Sequence, residues 1–201
     1  MRNVLVTGFE AFAGDAVNPS AEVARALDGR VIEGRRVVAA VLPCVFDACA
    51  VELNRLQRRH RPELILCLGM ARGRAGITVE RIAINLDDAR IPDNAGGRRI
   101  DRPVVRGGPA GYWSTLPVKA IVAALRRRGI AAGASETAGT FVCNHLFYHL
   151  MHGLARHRGV RGGFIHVPPL PVQAGKVQPS LPLARMIQAA AIAIAVTAKS
   201  G

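Results

Sequence analysis

Cys143, His166 and Glu80 are the residues of this sequence whose types and surroundings point to shared chemistry. Cys143 stands between the irregular, glycine-containing stretch SETAGTFV and the apolar-periodic stretch NHLFYHLMHGL, so it falls where a helix begins. A thiol there faces unpaired N–H groups and the positive end of the helix dipole, which lower its pKa and can hold an oxyanion formed beside the sulfur. A buried structural cysteine would suit the same position. His166 lies at the end of the apolar run GFIHV, immediately before Pro168-Pro169. Reacting groups of open α/β sheets gather beyond the carboxyl ends of strands. A histidine at such a place can take a thiol proton and return it to a leaving amine, or can be a hydrogen-bonded core residue. Glu80 lies in TVERIAIN, just after the loop GMARGRAG, and can fix the tautomer and orientation of an imidazole. Its neighbour Arg81 offers it a surface ion pair instead, and spacing does not separate these readings.

Three further histidines, His145, His149 and His152, share a helix face at i, i+4 and i+7. That spacing suits a metal, but no acidic residue accompanies them on the helix as in HExxH. They are read as the polar side of a helix whose other side is apolar. No metal is expected, and Cys44, Cys49 and Cys67 are assigned to packing.

The elements that must position these groups follow from periodicity. Asn3 to Thr7, Val37 to Leu42, Leu64 to Leu68 and Gly163 to Val167 read as strands, with Thr78 to Asn85 a more polar fifth near an edge. Asn18-Pro19 reads as an N-cap followed by proline at the first helical position, opening a helix through Leu27. Further helices are predicted over Val45 to Arg59, through Val118, Ile121, Val122 and Leu125, through Leu146, Phe147, Leu150, Met151 and Leu154, and over about Leu183 to Thr197. The last is apolar nearly all round, so it is either central or covered by a partner subunit. Strands alternating with helices predict an α/β fold, a single-domain α/β/α sandwich over residues 1–201 with a largely parallel central sheet. The stretch from Asp87 to Ser114 is rich in Pro and Gly and has no period, which predicts a functional loop or an interface.

Bulk composition narrows the function. Half of the residues are hydrophobic and a fifth are charged, which is a globular balance. The net charge of +13 comes from arginines scattered along the chain, and aromatics are only 4%, so the stacking platforms of single-strand binders are lacking. The basic surface is read as solvated, with no nucleic-acid partner. The opening MRNVLVTGFEAF is broken by Glu10 and reads as a first strand, not an export signal. The apolar tail from Met186 to Val196 is far short of the roughly 20 residues that span a bilayer, so no membrane association is expected. Four cysteines without a CxxC pair predict reduced thiols and a cytoplasmic location.

Five segments in register go beyond spacing. VTGFEAFAGDAVNPS, ERIAINLDDARIPDNAG, GYWSTLP, SETAGTFVCNH and GFIHVPPLP together closely resemble the pyroglutamyl peptidase I (pyrrolidone carboxyl peptidase) family of cysteine peptidases, over nearly the whole chain. The resemblance implies hydrolysis of the bond after an N-terminal pyroglutamyl residue of peptides, through a thioacyl-enzyme. It implies a triad of Cys143, His166 and Glu80, no cofactor, an intracellular location, and a homo-oligomer (dimer or tetramer). It places Phe9, Phe12, Phe141 and Val142 around the lactam ring, main-chain groups near Met70 on the lactam, and Arg90 near the scissile carbonyl. Two positions depart from the family pattern: Arg72 replaces a small residue in the loop GMARGR, and Met70 stands where many relatives carry glutamine. Two rival readings are a nucleoside phosphorylase on a related architecture, which would be indifferent to thiol alkylation, and an inactive basic binding module, which would bind oligonucleotides in a salt-sensitive way.

Overall fold

A computed structural model of the chain describes residues 1–157, 159–174 and 179–200. The strands are β1 (Arg2–Phe9), β2 (Val31–Ile32), β3 (Arg35–Leu42), β4 (Leu64–Met70), β5 (Ile77–Glu80), β6 (Ile82–Ile84), β7 (Gly111–Trp113), β8 (Ala132–Ser135) and β9 (Arg161–Val167). The helices are α1 (Pro19–Leu27), α2 (Ala48–His60), α3 (Val118–Arg127), α4 (Val142–Leu154), α5 (Pro171–Ala174) and α6 (Leu183–Lys199). Seven strands form one sheet in the order β2-β3-β1-β4-β9-β5-β8, while β6 and β7 form a separate antiparallel pair. β3, β1, β4 and β9 run parallel, and β5 turns antiparallel to β9.

The strands of the parallel centre are apolar on both faces because helices cover both faces. On one face Val4, Val6, Leu66 and Leu68 pack with residues of α1, α3 and α6. On the other, Leu5, Ile65, Cys67 and Phe164 pack with α2 and α4. This is the α/β/α sandwich that the alternation of elements predicts. α6 uses a stripe of small and apolar residues, Met186, Ala189, Ala190, Ala193 and Ile194, against the core, and packs on α1 and α3.

Local chemistry explains several boundaries. Asn18 caps α1, its side-chain oxygen accepting the Ser20 N–H at 3.1 Å, with Pro19 next as predicted. Ser20 Oγ in turn accepts the Phe9 N–H at 3.0 Å, tying α1 to the end of β1. α2 starts three residues later than the pattern from Val45 predicts. The amides of Cys44, Phe46 and Asp47 are engaged by Glu10, Asp93 and His145 side chains, and Asp47 turns to φ +57° before the helix begins. The predicted strand from Thr78 to Asn85 is divided at Arg81, β5 joining the main sheet and β6 pairing with β7.

Candidate active site

The centre of the site is built on β4 and β9. Gly69 and His166 are register partners on these neighbouring parallel strands. Side chains at such a pair share a face of the sheet, as does Phe164 two residues before His166. A Cβ on Gly69 would lie 2.8 Å from Cys143 Sγ and 2.8 Å from the Phe164 ring. The sulfur therefore occupies the space left by the missing side chain of Gly69, beside the strand position of His166. Phe164 and His166 rings stand 4.9 Å apart and close the contact from below.

Cys143 is the second residue of α4, where the sequence places it. The residue before the helix, Phe141, provides no side-chain cap. The first intrahelical bond is His145 N–H to Phe141 O, so the N–H groups of Val142, Cys143 and Asn144 lie outside the helix ladder. A half-buried thiol thus sits beside three donors. The sequence reading expects this helix end to lower the thiol pKa; the structure reverses the direction. Burial, reinforced by the neighbouring Cys44 and Cys49 sulfurs and the Glu80 carboxylate, pushes the Cys143 thiol well above its ordinary 9.0.

Glu80 and His166 meet, although 86 positions separate them: His166 Nδ1 is 2.8 Å from Glu80 Oε1. Because β5 is antiparallel to β9, with Thr78 opposite His166, the last residue of β5 comes back alongside the imidazole. Both side chains are nearly inaccessible to solvent. Nδ1 is the ring nitrogen that the carboxylate engages, which leaves Nε2 turned away from Glu80. The ion pair of Glu80 with Arg81 is not formed; Arg81 pairs with Glu136. Arg74, which the sequence reading did not single out, lies 3.5 Å from Glu80 Oε1 and is held by Ser135 Oγ and Thr137 O. Its charge offsets part of the cost of burying a carboxylate whose other oxygen has no partner among the described residues.

The residues following Cys143 clamp α4 to the segment after β6. Asn144 Oδ1 accepts the Ile84 N–H at 3.0 Å, and its amide donates to Ile84 O and Leu86 O. His145, wholly buried, has Nδ1 2.8 Å from Asp87 Oδ2. The polar side that the sequence reading assigns to this helix is thus buried at His145. Asp88 and Thr140 exchange two further bonds, Asp88 N–H to Thr140 O and Thr140 Oγ1–H to Asp88 O. Arg90, exposed, follows two residues later, so its backbone starts beside the entrance to α4.

The residues expected around a small ring divide into two sets. Phe12 and Phe141 are half-buried, with ring centroids 6.2 Å apart, and Phe46 meets Phe141 edge-on at 5.5 Å. Phe9 and Val142 are buried in the adjoining core, Phe9 packing on Phe164. Met70 ends β4 as the register partner of Val167, and the Ala71 N–H donates to Val167 O. Arg72 points away from Glu80: its guanidinium grips Asp15 at 2.6 and 2.8 Å and Gln173 O at 3.3 Å. It therefore ties down the loop that carries Phe12. The long segment after Asp87 folds back over the strand ends, where Asn94 bonds Glu10 and Ala11 and Asp93 accepts the Phe46 N–H.

A thiol at a helix N-terminus, a carboxylate-bound imidazole beside it, and an α/β/α sandwich presenting both are the parts of a cysteine hydrolase. The sequence comparisons make that class specific. A family profile described as pyroglutamyl peptidase matches residues 2–200, and the chain belongs to that family. It is 54% identical over 198 residues to a pyrrolidone-carboxylate peptidase of Klebsiella pneumoniae (strain 342), covering 98% of this chain and 92% of that protein. It is 57% identical to the Chromobacterium violaceum protein of the same name over 87% of this chain and 81% of that one. Its fold superposes on the crystal structure of pyroglutamyl peptidase I from Bacillus amyloliquefaciens with a TM-score of 0.96 at 46% identity, covering 98% and 95% of the two chains. A mutant pyrrolidone carboxyl peptidase of Pyrococcus furiosus gives a TM-score of 0.96 at 40% identity, covering 98% and 99%.

Proposed function

We propose that the chain hydrolyses the bond following an N-terminal pyroglutamyl residue, with Cys143 as nucleophile, His166 as general base and acid, and Glu80 as the group that orients His166. The observation that carries this reading is the His166 Nδ1 to Glu80 Oε1 contact beside the sulfur lodged over Gly69. His166 Nε2 takes the thiol proton as sulfur attacks the carbonyl carbon. The C–S bond forms, and the oxyanion gathers at the free N–H groups opening α4, with Arg90 nearby. Collapse expels the peptide amine, which receives the proton from His166. Water, deprotonated by the same imidazole, then cleaves the thioester and frees 5-oxoproline. No step requires a cofactor.

Specificity follows from the half-buried rings of Phe12 and Phe141, which suit a small, flat, uncharged lactam, with main-chain groups near Met70 available to its N–H and C=O. Phe9 and Val142 back this pocket. A prolyl residue would lose the lactam bonds and bring a charged ammonium against apolar rings, a combination that can discriminate by roughly 10⁴-fold or more. The test is release of a fluorophore from pyroglutamyl, prolyl and glutamyl amides. The expected result is cleavage of the first alone, abolished in Cys143→Ala and retained in Cys44→Ala, Cys49→Ala and Cys67→Ala. Comparable rates on the prolyl amide would overturn the pocket, and persistent turnover in Cys143→Ala would overturn the nucleophile.

The exposed apolar side chains Ile91, Ile100 and Trp113 along the segment after Asp87 support a homo-oligomer, which sedimentation at micromolar concentration would test. No helix among the described residues is long and apolar enough to cross a membrane. Four free cysteines support a reducing, cytoplasmic setting.

A further inference from the structure

The helix whose second residue is Cys143 carries a second cluster that the peptidase reading does not use. One donor atom each from Asp47, His145 and His149 lies within 4.8 Å of the other two. His145 and His149 are one helical turn apart, with rings 4.6 Å between centroids, and Asp47 comes from the turn that opens α2. We propose that Asp47, His145 and His149 form a site for a borderline divalent transition-metal ion, of the Zn²⁺, Co²⁺ or Ni²⁺ class, distinct from the Cys143–His166 pair.

One pair of donors already stands near the spacing that such an ion requires. Asp47 Oδ1 and His145 Nε2 are 3.5 Å apart, close to the edge of about 3.3 Å expected between two ligands each roughly 2.0 Å from a tetrahedral ion. His145 holds its Nδ1 against Asp87 Oδ2, which fixes the tautomer that frees Nε2 for coordination and supplies the outer carboxylate common behind ligating histidines. Arg99 bridges the same Asp87 oxygen and Asp47 Oδ2, so Oδ1 is the oxygen of Asp47 left for a ligand. His149 Nε2 is buried with no partner among the described residues, an expense that an ion would remove. Asp47 is largely exposed, which gives an ion and a fourth water ligand a way in. Capture displaces one bond, the Asp47 N–H to His145 Nε2 at 3.1 Å.

The test uses full-length Cys143→Ala, which removes the competing thiol, and Co²⁺ as probe. The expected result is one Co²⁺ per chain, with the intense visible bands of a tetrahedral ion and no sulfur charge-transfer band. Zn²⁺ should displace it. Affinity should fall at least tenfold in His149→Gln and in Asp47→Asn, the latter nearly isosteric with the aspartate it replaces. His152→Gln should bind as the parent does, because His152 faces Tyr112. Unaltered binding in both His149→Gln and Asp47→Asn would overturn the site. Metal uptake seen only when Cys143 is present would also overturn it, placing the ion on the sulfur and His166. Circular dichroism of each variant separates lost ligands from lost fold, and none of these readouts depends on peptidase turnover.

Discussion

Gly69 and His166 face each other across β4 and β9, and the absent side chain of Gly69 is the space in which the Cys143 sulfur rests. A histidine stands at one of this pair of positions, and a glycine at the other leaves the room for the sulfur. The first prediction follows directly. Gly69→Ala introduces a methyl 2.8 Å from both Sγ and the Phe164 ring, so the sulfur, the ring or both must move. Displacing a nucleophile by about 1 Å costs on the order of a hundredfold. We expect kcat/KM on a pyroglutamyl amide to fall by roughly that factor while the far-ultraviolet spectrum is kept; a rate within twofold of the parent would refute the arrangement.

The raised pKa of Cys143 gives a prediction on thiol reactivity. A raised thiol pKa keeps sulfur protonated at neutral pH, so in the proposed mechanism thiolate at pH 7 depends on transfer to His166. In His166→Ala, alkylation of Cys143 by iodoacetamide should be negligible at pH 7 and should rise only above the ordinary thiol value of 9.0. Rapid alkylation of that variant at pH 7 would show that the helix end alone ionises the sulfur.

Arg72 predicts a split between binding and turnover. It grips Asp15 in the loop bearing Phe12, and no contact joins it to Glu80. Arg72→Ala should raise KM several-fold and leave kcat within about twofold, since it frees the Phe12 loop and touches no member of the Cys143–His166–Glu80 set. A fall in kcat with KM unchanged would place Arg72 in the chemistry instead.

His149 predicts a loss of stability in acid. Its folded pKa of about 4 lies below the ordinary 6.5, chiefly through burial. Between these values the unfolded chain binds a proton that the folded chain resists. The contribution is thus complete above about pH 6.5 and lost as pH falls toward 4. After allowance for the ring's remaining solvent contact, the change is about 2 kcal/mol. Urea midpoints of the parent and His149→Gln over this range should show a clearly flatter dependence in the variant. Parallel curves would assign the acid sensitivity to other groups.

Sequence pattern carried the layers and most helices because each rests on local rules. Asn18 and Pro19 mark the start of α1 through cap chemistry that is complete within three residues. The strands Leu64–Met70 and Arg161–Val167 are apolar on both faces because they lie mid-sheet. What escaped was set by tertiary partners. The start of α2 moved because three amides before it were taken by distant side chains. β8, with the sequence AGAS, has no pattern of its own and exists through its pairing with β5. In the site, residue type flagged Cys143, His166 and Glu80, but nothing local distinguishes Gly69 from other glycines or Arg74 from other arginines. The burial of His145 is illegible locally for a similar reason: its partner Asp87 is 58 positions away and on no helix.

The place of β9 in the sheet bears on how the chain acquires its reactivity during synthesis. Among the described residues β9 is the strand synthesised last, yet it is inserted between β4 and β5. Until residues 161–167 emerge, β4 and β5 keep open edges and the sheet exists as two unjoined parts. Open edges invite mispairing, and contacts this distant in sequence form late. The same residues deliver the imidazole. A nascent chain long enough to have made α4 therefore lacks the imidazole beside its sulfur, and the strand that closes the sheet is also the one that brings the two together.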